Sequence, residues 1–381
     1  MSDLAESSAV TELYQAIEAI APILEETAPE AERQRCAPTD LAEALRSAQV
    51  PMSKAPREIG GYELSPADQV AFFARLSYLN PTAGWLSFNF SGAAGMLGAC
   101  MSDEGIEQIF GGAVPLVAAV SAPTGTSKTV DGGYRVTGRW AYASGVGVSD
   151  YVFLMTLCED PFGPVGVLVP TSEVVLHDDW HVAALQGTGS VDVSVDDVFV
   201  PEILTVNPLA QKRGGKQYSA LGYKAYVASE NLGFSLGCAQ RLVDEMAQLA
   251  RNKRRVLDTN TVGDRGAFQM ELGRCDMTLR GAQALMESEL RRAMQVAEDY
   301  DGPLPQPEQT RIEGAVAHAT EMIVQAGTKL FAYGGASALH LSNPIQRAMR
   351  DLIGSGQHYV ASNQQIEDWG KAILDVEGET N

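Results

Sequence analysis

The apolar residues of this chain change their spacing twice, and that change constrains the fold more than any single motif. From Val114 to Pro201 they recur at every second position, in runs such as VDGGYRVTG, DYVFLM, VGVLVP and SVDVSVDDVFVP. That is the period of strands with one buried face. On both sides they recur at three and four, the period of helices packed on a core. The expectation is three domains in α, β, α order: a helical one over 1–112, a β domain over 113–205 and a helical bundle over 206–381.

Local signals sharpen each part. In SPADQVAFFARL, Ser65 is placed as an N-cap, Pro66 at the first helical position and Asp68 in the first turn, where a carboxylate meets the positive end of the helix. SDEGIEQIF repeats the device with Ser102. Between them, residues 81–101 are apolar and rich in small residues, as in a helix packed on all sides. Asp131-Gly132 between two alternating runs signals a hairpin. Beyond the polar stretch NPLAQKRGGKQYS, SENLGFSLGCAQRLVDEMAQLAR and FQMELGRCDMTLRGAQALMESELRRAMQ are long and apolar on more than one side, which predicts a bundle and a homo-oligomer, dimer or tetramer.

A net charge of −20 over 381 residues argues against nucleic-acid or anionic-membrane partners, which need a basic footprint. The acidic N-terminus MSDLAESSAVTEL has neither a basic nor an apolar region of a signal peptide, and no apolar run approaches the roughly 20 residues that span a bilayer. The five cysteines, 36, 100, 158, 238 and 275, are scattered and without metal-ligand spacing, so the expectation is free thiols in a reducing cytoplasm. No cluster suggests a metal, and no nucleophile–base set suggests hydrolysis.

Three stretches carry a resemblance. GRWAYASGVGVSDYVFL (138–154), DDWHVAALQGTGSVDVSVDDVFVPE (178–202) and LFAYGGASALHLSNPIQRAMRDLIGSGQH (330–358), in this order, resemble the acyl-CoA dehydrogenase superfamily over nearly the whole chain. The resemblance implies an α+β fold with N-terminal helices, a β-barrel-like middle domain and a C-terminal four-helix bundle. Dehydrogenases of that fold commonly place a glutamate shortly after the Arg-Asp pair. Here the pair is Arg350-Asp351, and the matching position holds Tyr359, preceded by His358; a phenol of pKa near 10 is a poor base at neutral pH. W-x-Y-x-S-G at 140–145 with a histidine after R-x-x-R-D is instead similar to the two-component flavin-dependent monooxygenases of this superfamily.

That resemblance implies FAD, or reduced FMN, with O2 as co-substrate, a flavin peroxide, and a small cyclic, aromatic substrate to be oxygenated. It implies Ser144 as donor to the flavin N5 edge and His358 as the group that bonds the peroxide or takes the substrate's proton. Trp140, Tyr142, Ala143 and Gly145 would complete the flavin turn, with Ser121, Thr124, Gly125 and Ser127 as further donors. Arg251 takes the place of a diphosphate-binding arginine, although Arg254 and Arg255 stand where its usual Phe-Gly partner would be. Gly334 and Gly335 would meet the pyrophosphate of a neighbouring subunit's flavin. Trp85, Phe88 and Tyr359 are candidate substrate contacts. Gly354 and Gly356, each costing about 1 kcal/mol within a helix, are expected to let the segment before His358 lie against the flavin ring. Reduced flavin would come from a separate NAD(P)H:flavin reductase. The alternatives are an oxygenase or oxidase of a CoA-linked ring, a true acyl-CoA dehydrogenase with Glu230 as base, and a silent flavin-binding subunit.

Overall fold

The computed structural model describes residues 2–254 and 258–376; Arg255 lies outside them. Helices α1 (Ser2–Gln34), α2 (Thr39–Ser47), α3 (Pro66–Leu79), α4 (Pro81–Cys100) and α5 (Asp103–Phe110) precede the strands. The caps read from the sequence are formed: Asp68 N donates to Ser65 Oγ at 3.2 Å and Gly105 N to Ser102 Oγ at 3.1 Å.

The alternating region folds as a mixed seven-stranded sheet of order β5-β6-β2-β1-β3-β4-β7. Its strands are β1 (Val117–Val130), β2 (Gly133–Trp140), β3 (Tyr151–Glu159), β4 (Phe162–Pro170), β5 (Val175–Leu176), β6 (Val193–Pro201) and β7 (Thr205–Val206). Asp131-Gly132 does turn β1 into antiparallel β2, with Val130 opposite Gly133. β1 lies parallel to β3, and that ladder jumps from Val120–Leu154 to Gly125–Thr156, so Ser121–Thr124 bulge out of it. Bulges of this kind re-aim side chains. The inward residues, among them Val136, Trp140, Leu154, Val167 and Val193, make one core with Leu97 and Met101.

The C-terminal part is helical: α6 (Tyr223–Tyr226), α7 (Ala228–Asn252), α8 (Gly266–Ala297), α9 (Gln306–Phe331), α10 (Pro344–Ser355) and α11 (Asn363–Val376). By internal packing the chain divides into a sheet unit, Met1–Leu64, Trp85–Val182 and Gln186–Ser219, and a helical unit, Ser65–Gly84, Ala183–Leu185 and Ala220–Asn381. Among the described residues no helix is long and apolar enough to cross a membrane.

Within the helical unit α3 lies directly on α7. A Cβ at Gly233 would stand 2.7 Å from Val70 O, and one at Gly237 would stand 2.3 Å from Ala74 O. These glycines bring the two backbones together, and a methyl could be accommodated only by separating the helices. Gly237→Ala is therefore expected to lower unfolding stability by about 1–3 kcal/mol in a denaturant titration, whereas Gly281→Ala, where an added methyl would have nothing within 4 Å, should not.

Candidate active site

In the sheet unit the chain leaves β2 at Trp140 and turns sharply. Tyr142 takes a left-handed backbone (φ 68°), uncommon for a non-glycine residue, and Gly145 another (φ 79°). Every amide that follows is engaged: Ala143 N donates to Val191 O at 3.0 Å, Ser144 N to Tyr142 O at 2.9 Å and Gly145 N to Thr188 O at 2.9 Å. Gly145 is needed because a Cβ there would lie 2.8 Å from both Leu86 and Phe90 of α4. On that side the space is filled by α4.

Ser144 is buried, 4% exposed, and its Oγ accepts from Trp85 Nε1 at 3.2 Å and lies 2.7 Å from Ser190 Oγ. Ser190 Oγ is in turn 2.6 Å from Thr188 Oγ1. Trp85 stacks at a tilt on Phe88, ring centroids 5.4 Å apart. Asn89, one turn on from Trp85, clasps β1 through both amide atoms, Nδ2 to Ala119 O and Oδ1 from Ala119 N.

The other residues of this half divide. Trp140 is fully buried, its Nε1 donating to Met155 O at 2.7 Å, and Ala143 is fully buried too. A Cβ on Gly125 would sit 2.0 Å from the Trp140 ring. These three are packing partners in the sheet. Ser127 is turned inward and accepts from Thr156 Oγ1 at 2.8 Å. Ser121 and Thr124, by contrast, are partly or fully exposed on the bulge, with Thr124 Oγ1 donating to Arg139 O. Tyr142 is 69% exposed and meets Trp180 edge-on at 6.2 Å. Trp180 is itself placed by Arg35, which donates to its carbonyl and contacts His181 and Asp178.

In the helical unit α10 begins on an Asn343 cap and ends at Ser355, and His358 lies between it and a short turn at Tyr359–Ala361. The buried carboxylate of Asp351 accepts from Leu185 N at 2.6 Å, while Arg350 Nη1 donates to Ala183 O at 2.9 Å. This clamp draws residues 183–185 onto α10. A Cβ at Gly354 would approach Ala184 and Leu185 to 3.1 Å, whereas one at Gly356 would make only ordinary contacts. Gly354 therefore serves the approach of that segment. Beneath it, Ser235 Oγ donates to Ser355 Oγ at 2.8 Å, tying α7 to the end of α10.

The His358 ring is partly buried, with Tyr359 at 4.8 Å between centroids, and Tyr359 stacks on Tyr223 at 6.2 Å and 4°. Burial pulls the imidazole from an ordinary 6.5 down to about 4, so it is neutral at pH 7 and holds a proton only weakly. Tyr359 moves the opposite way: burial above all, then the neighbouring Tyr223 hydroxyl, then Glu313 and Glu230, hold its phenol well above the usual range. Glu230 is completely enclosed in α7, and Ser229 Oγ lies 3.2 Å from its Oε2.

At the far end of α7, Arg251 is exposed, and the cation on the Gly-Gly loop is Lys253, which donates to Gly334 O and, at 2.6 Å, to Ser337 Oγ. Gly335 has φ 59°, and a Cβ there would meet Lys253 Nζ. A cavity of about 400 Å³ adjoins the loop, lined by Ser337, His340 and Asn343 with Glu245 and Gln248. Reading the sequence alone missed Trp180, Thr188, Ser190 and Lys253. The only available signal was the string GTGS, which looks like an ordinary turn.

Nuclear magnetic resonance can check the His358 ionisation. Between about pH 6.5 and pH 4 the unfolded chain holds a proton there that the folded one lacks, so this residue favours the fold above 6.5 and that contribution fades as the pH falls toward 4. The His358 ring nitrogens are expected to show no titration at pH 6.5; a midpoint there would mean the ring is solvated.

Residues 232–363 match the family described as acyl-CoA dehydrogenase, C-terminal domain. Over 379 residues the chain is 27% identical to a pigment production hydroxylase of Rhodococcus sp. (strain ATCC 21145), covering 96% of this chain and 97% of that one. It is likewise 27% identical to an indole-3-acetate monooxygenase of Pseudomonas putida, over 86% of this chain and 85% of that one. The solved structure of XiaF from Streptomyces sp., in complex with FADH2 and glycerol, superposes with a TM-score of 0.87 at 25% identity, covering 98% of this chain and 97% of that one. By fold and by full-length likeness, the chain is similar to flavin-dependent monooxygenases built on the acyl-CoA dehydrogenase architecture.

Proposed function

We propose that the protein takes up reduced flavin from a separate reductase and inserts one atom of dioxygen into a small aromatic ring. The observation that carries this reading is the pairing of full-length likeness to hydroxylases with His358-Tyr359 where a carboxylate would stand. A dehydrogenase needs a carboxylate to take the proton next to a thioester. The position that would supply it holds a phenol that resists ionisation, and Glu230 has no exposed surface.

The sheet unit suits an isoalloxazine by the chemistry of its donors. Ser144, Ser121 and Thr124 offer neutral hydroxyls to the polar edge of the ring, and the exposed Tyr142–Trp180 pair offers an aromatic surface. When bound, the group supplies two electrons to dioxygen and directs one oxygen atom to the substrate. The protein's part is to hold and to exclude. Ser144 fixes the N5 edge, and Trp85 and Phe88 cover apolar surface against which a flat substrate can lie. His358 accepts a hydrogen bond from a ring hydroxyl or ring N–H, which raises electron density on the carbon to be oxygenated. Gly334 and Gly335 hold the pyrophosphate of a flavin in a second copy of the chain, with Lys253 keeping the loop in shape.

The test is to supply chemically reduced FAD or FMN under 18O2 with a panel of phenols and indoles. One labelled atom per product is expected; bleaching of oxidised flavin by an acyl-CoA panel without oxygen would overturn the reading. His358→Ala is expected to cut product formation by roughly 100-fold or more while flavin affinity stays near that of the wild type. Oxygen consumption should continue and end as hydrogen peroxide.

A further inference from the structure

Helix α1 ends in a Schellman arrangement, Cys36 N donating to Ala31 O and Arg35 N to Glu32 O, both at 3.2 Å. That closure puts the residue after the helix in left-handed backbone, a place glycine usually takes because it has no Cβ to crowd the carbonyl. Here it is Arg35, at φ 53°. A cation favours a helix C-terminus, but Arg33 already stands in the last turn of α1. The backbone thus gives no reason for an arginine at 35, and the reason lies with its side chain.

The guanidinium spans one short segment of the sheet unit. Nη2 lies 3.0 Å from Asp178 Oδ1, while Nη1 donates to Trp180 O at 3.3 Å and lies 3.0 Å from His181 Nδ1. Asp179, within that segment, has other partners: its Oδ2 is 3.1 Å from Arg139 Nη2, and its Oδ1 accepts from Asp192 N at 3.0 Å. Two arginines from different elements therefore hold successive residues just before Trp180, whose ring meets that of Tyr142 at 79°. Tyr142 too has left-handed backbone. Non-glycine residues kept in this region by their surroundings gather where a site is being shaped.

We propose that Arg35 is a positioning residue: it fixes the backbone of Trp180 so that the Tyr142–Trp180 pair stands ready as an aromatic wall for the flavin. The proposal rests on the reading, under the proposed function, that this pair faces the flavin. A planar fork meets a carboxylate, a carbonyl and a ring nitrogen at once, where a lysine presents one compact charge. Glycine would suit the backbone at 35 and supply none of the three contacts. Fold and site make opposite demands at this position, which lets an experiment separate them.

Fluorine NMR of protein labelled with 5-fluorotryptophan reports on the four tryptophans, 85, 140, 180 and 369, with Trp180→Phe assigning its line. Arg35→Gly is expected to move the Trp180 line and leave the other three in place, while the thermal midpoint does not fall. In anaerobic titration with dithionite-reduced FAD and FMN, Arg35→Gly should weaken affinity roughly threefold to tenfold, the worth of one hydrogen bond, and Trp180→Ala by at least as much. Asp178→Asn, at a carboxylate open to solvent, should act in the same direction by about twofold. If Trp180→Ala leaves affinity unchanged, the pair does not face the flavin and the proposal falls with that reading. If Trp180→Ala weakens binding but Arg35→Gly neither moves the Trp180 line nor weakens binding, the pair stands and Arg35 has no part in placing it. Weaker binding without movement of that line, or a lowered midpoint with affinity unchanged, also overturns the proposal: Arg35 would then touch the flavin itself or only brace the fold.

Discussion

A polar group withdrawn from water must find a partner inside the protein, and that requirement organises the turn after β2. With the amides of residues 143–145 all committed to carbonyls of the chain, the backbone there is finished before any ligand arrives. What the turn still has to offer is a side-chain hydroxyl. The same accounting explains why Trp85 approaches Ser144, and why Thr188 and Ser190 lie where they do. Specific chemistry at this spot is therefore a matter of how hydroxyl protons are shared.

The helical unit obeys a parallel logic with charge. Asp351 is buried, and its carboxylate is made tolerable by the Leu185 amide it receives; Arg350 secures the neighbouring carbonyl. These bonds fix the end of α10 and with it the start of the loop that carries His358. A ring held by packing loses its affinity for a proton, which is why His358 is neutral at pH 7. Tyr359 beside it is driven the other way by the same burial, and so contributes ring surface rather than base strength.

What could be read in advance was local. The Ser65 and Ser102 caps, the Asp131-Gly132 turn and the change of period near Val114 each depend on residues within a few positions of one another, and each is formed. The site was readable only in part, because its decisive contacts span long separations. Ser144 and Ser190 are 46 positions apart, and Gly354 is explained by residues 184 and 185. Ser127 illustrates the other failure. On a strand, alternate side chains face opposite ways, and a bulge between Val120 and Gly125 resets which ones point inward, so a run of candidate donors could not all be available. Lys253 reaches the Gly-Gly loop although Arg251 seemed better placed, because α7 ends at Asn252 and the chain changes direction there.

Helix α4 divides its duties by face. Leu86 and Phe90, one turn apart, bear on Gly145; Trp85 and Asn89, also one turn apart, reach Ser144 and β1. Both rows are occupied with keeping the turn and β1 in register. Phe88 belongs to neither row and packs its ring on that of Trp85. A change of bulk at 88 thus disturbs the turn after β2 less than one at 86 or 90, whose side chains press on that turn directly.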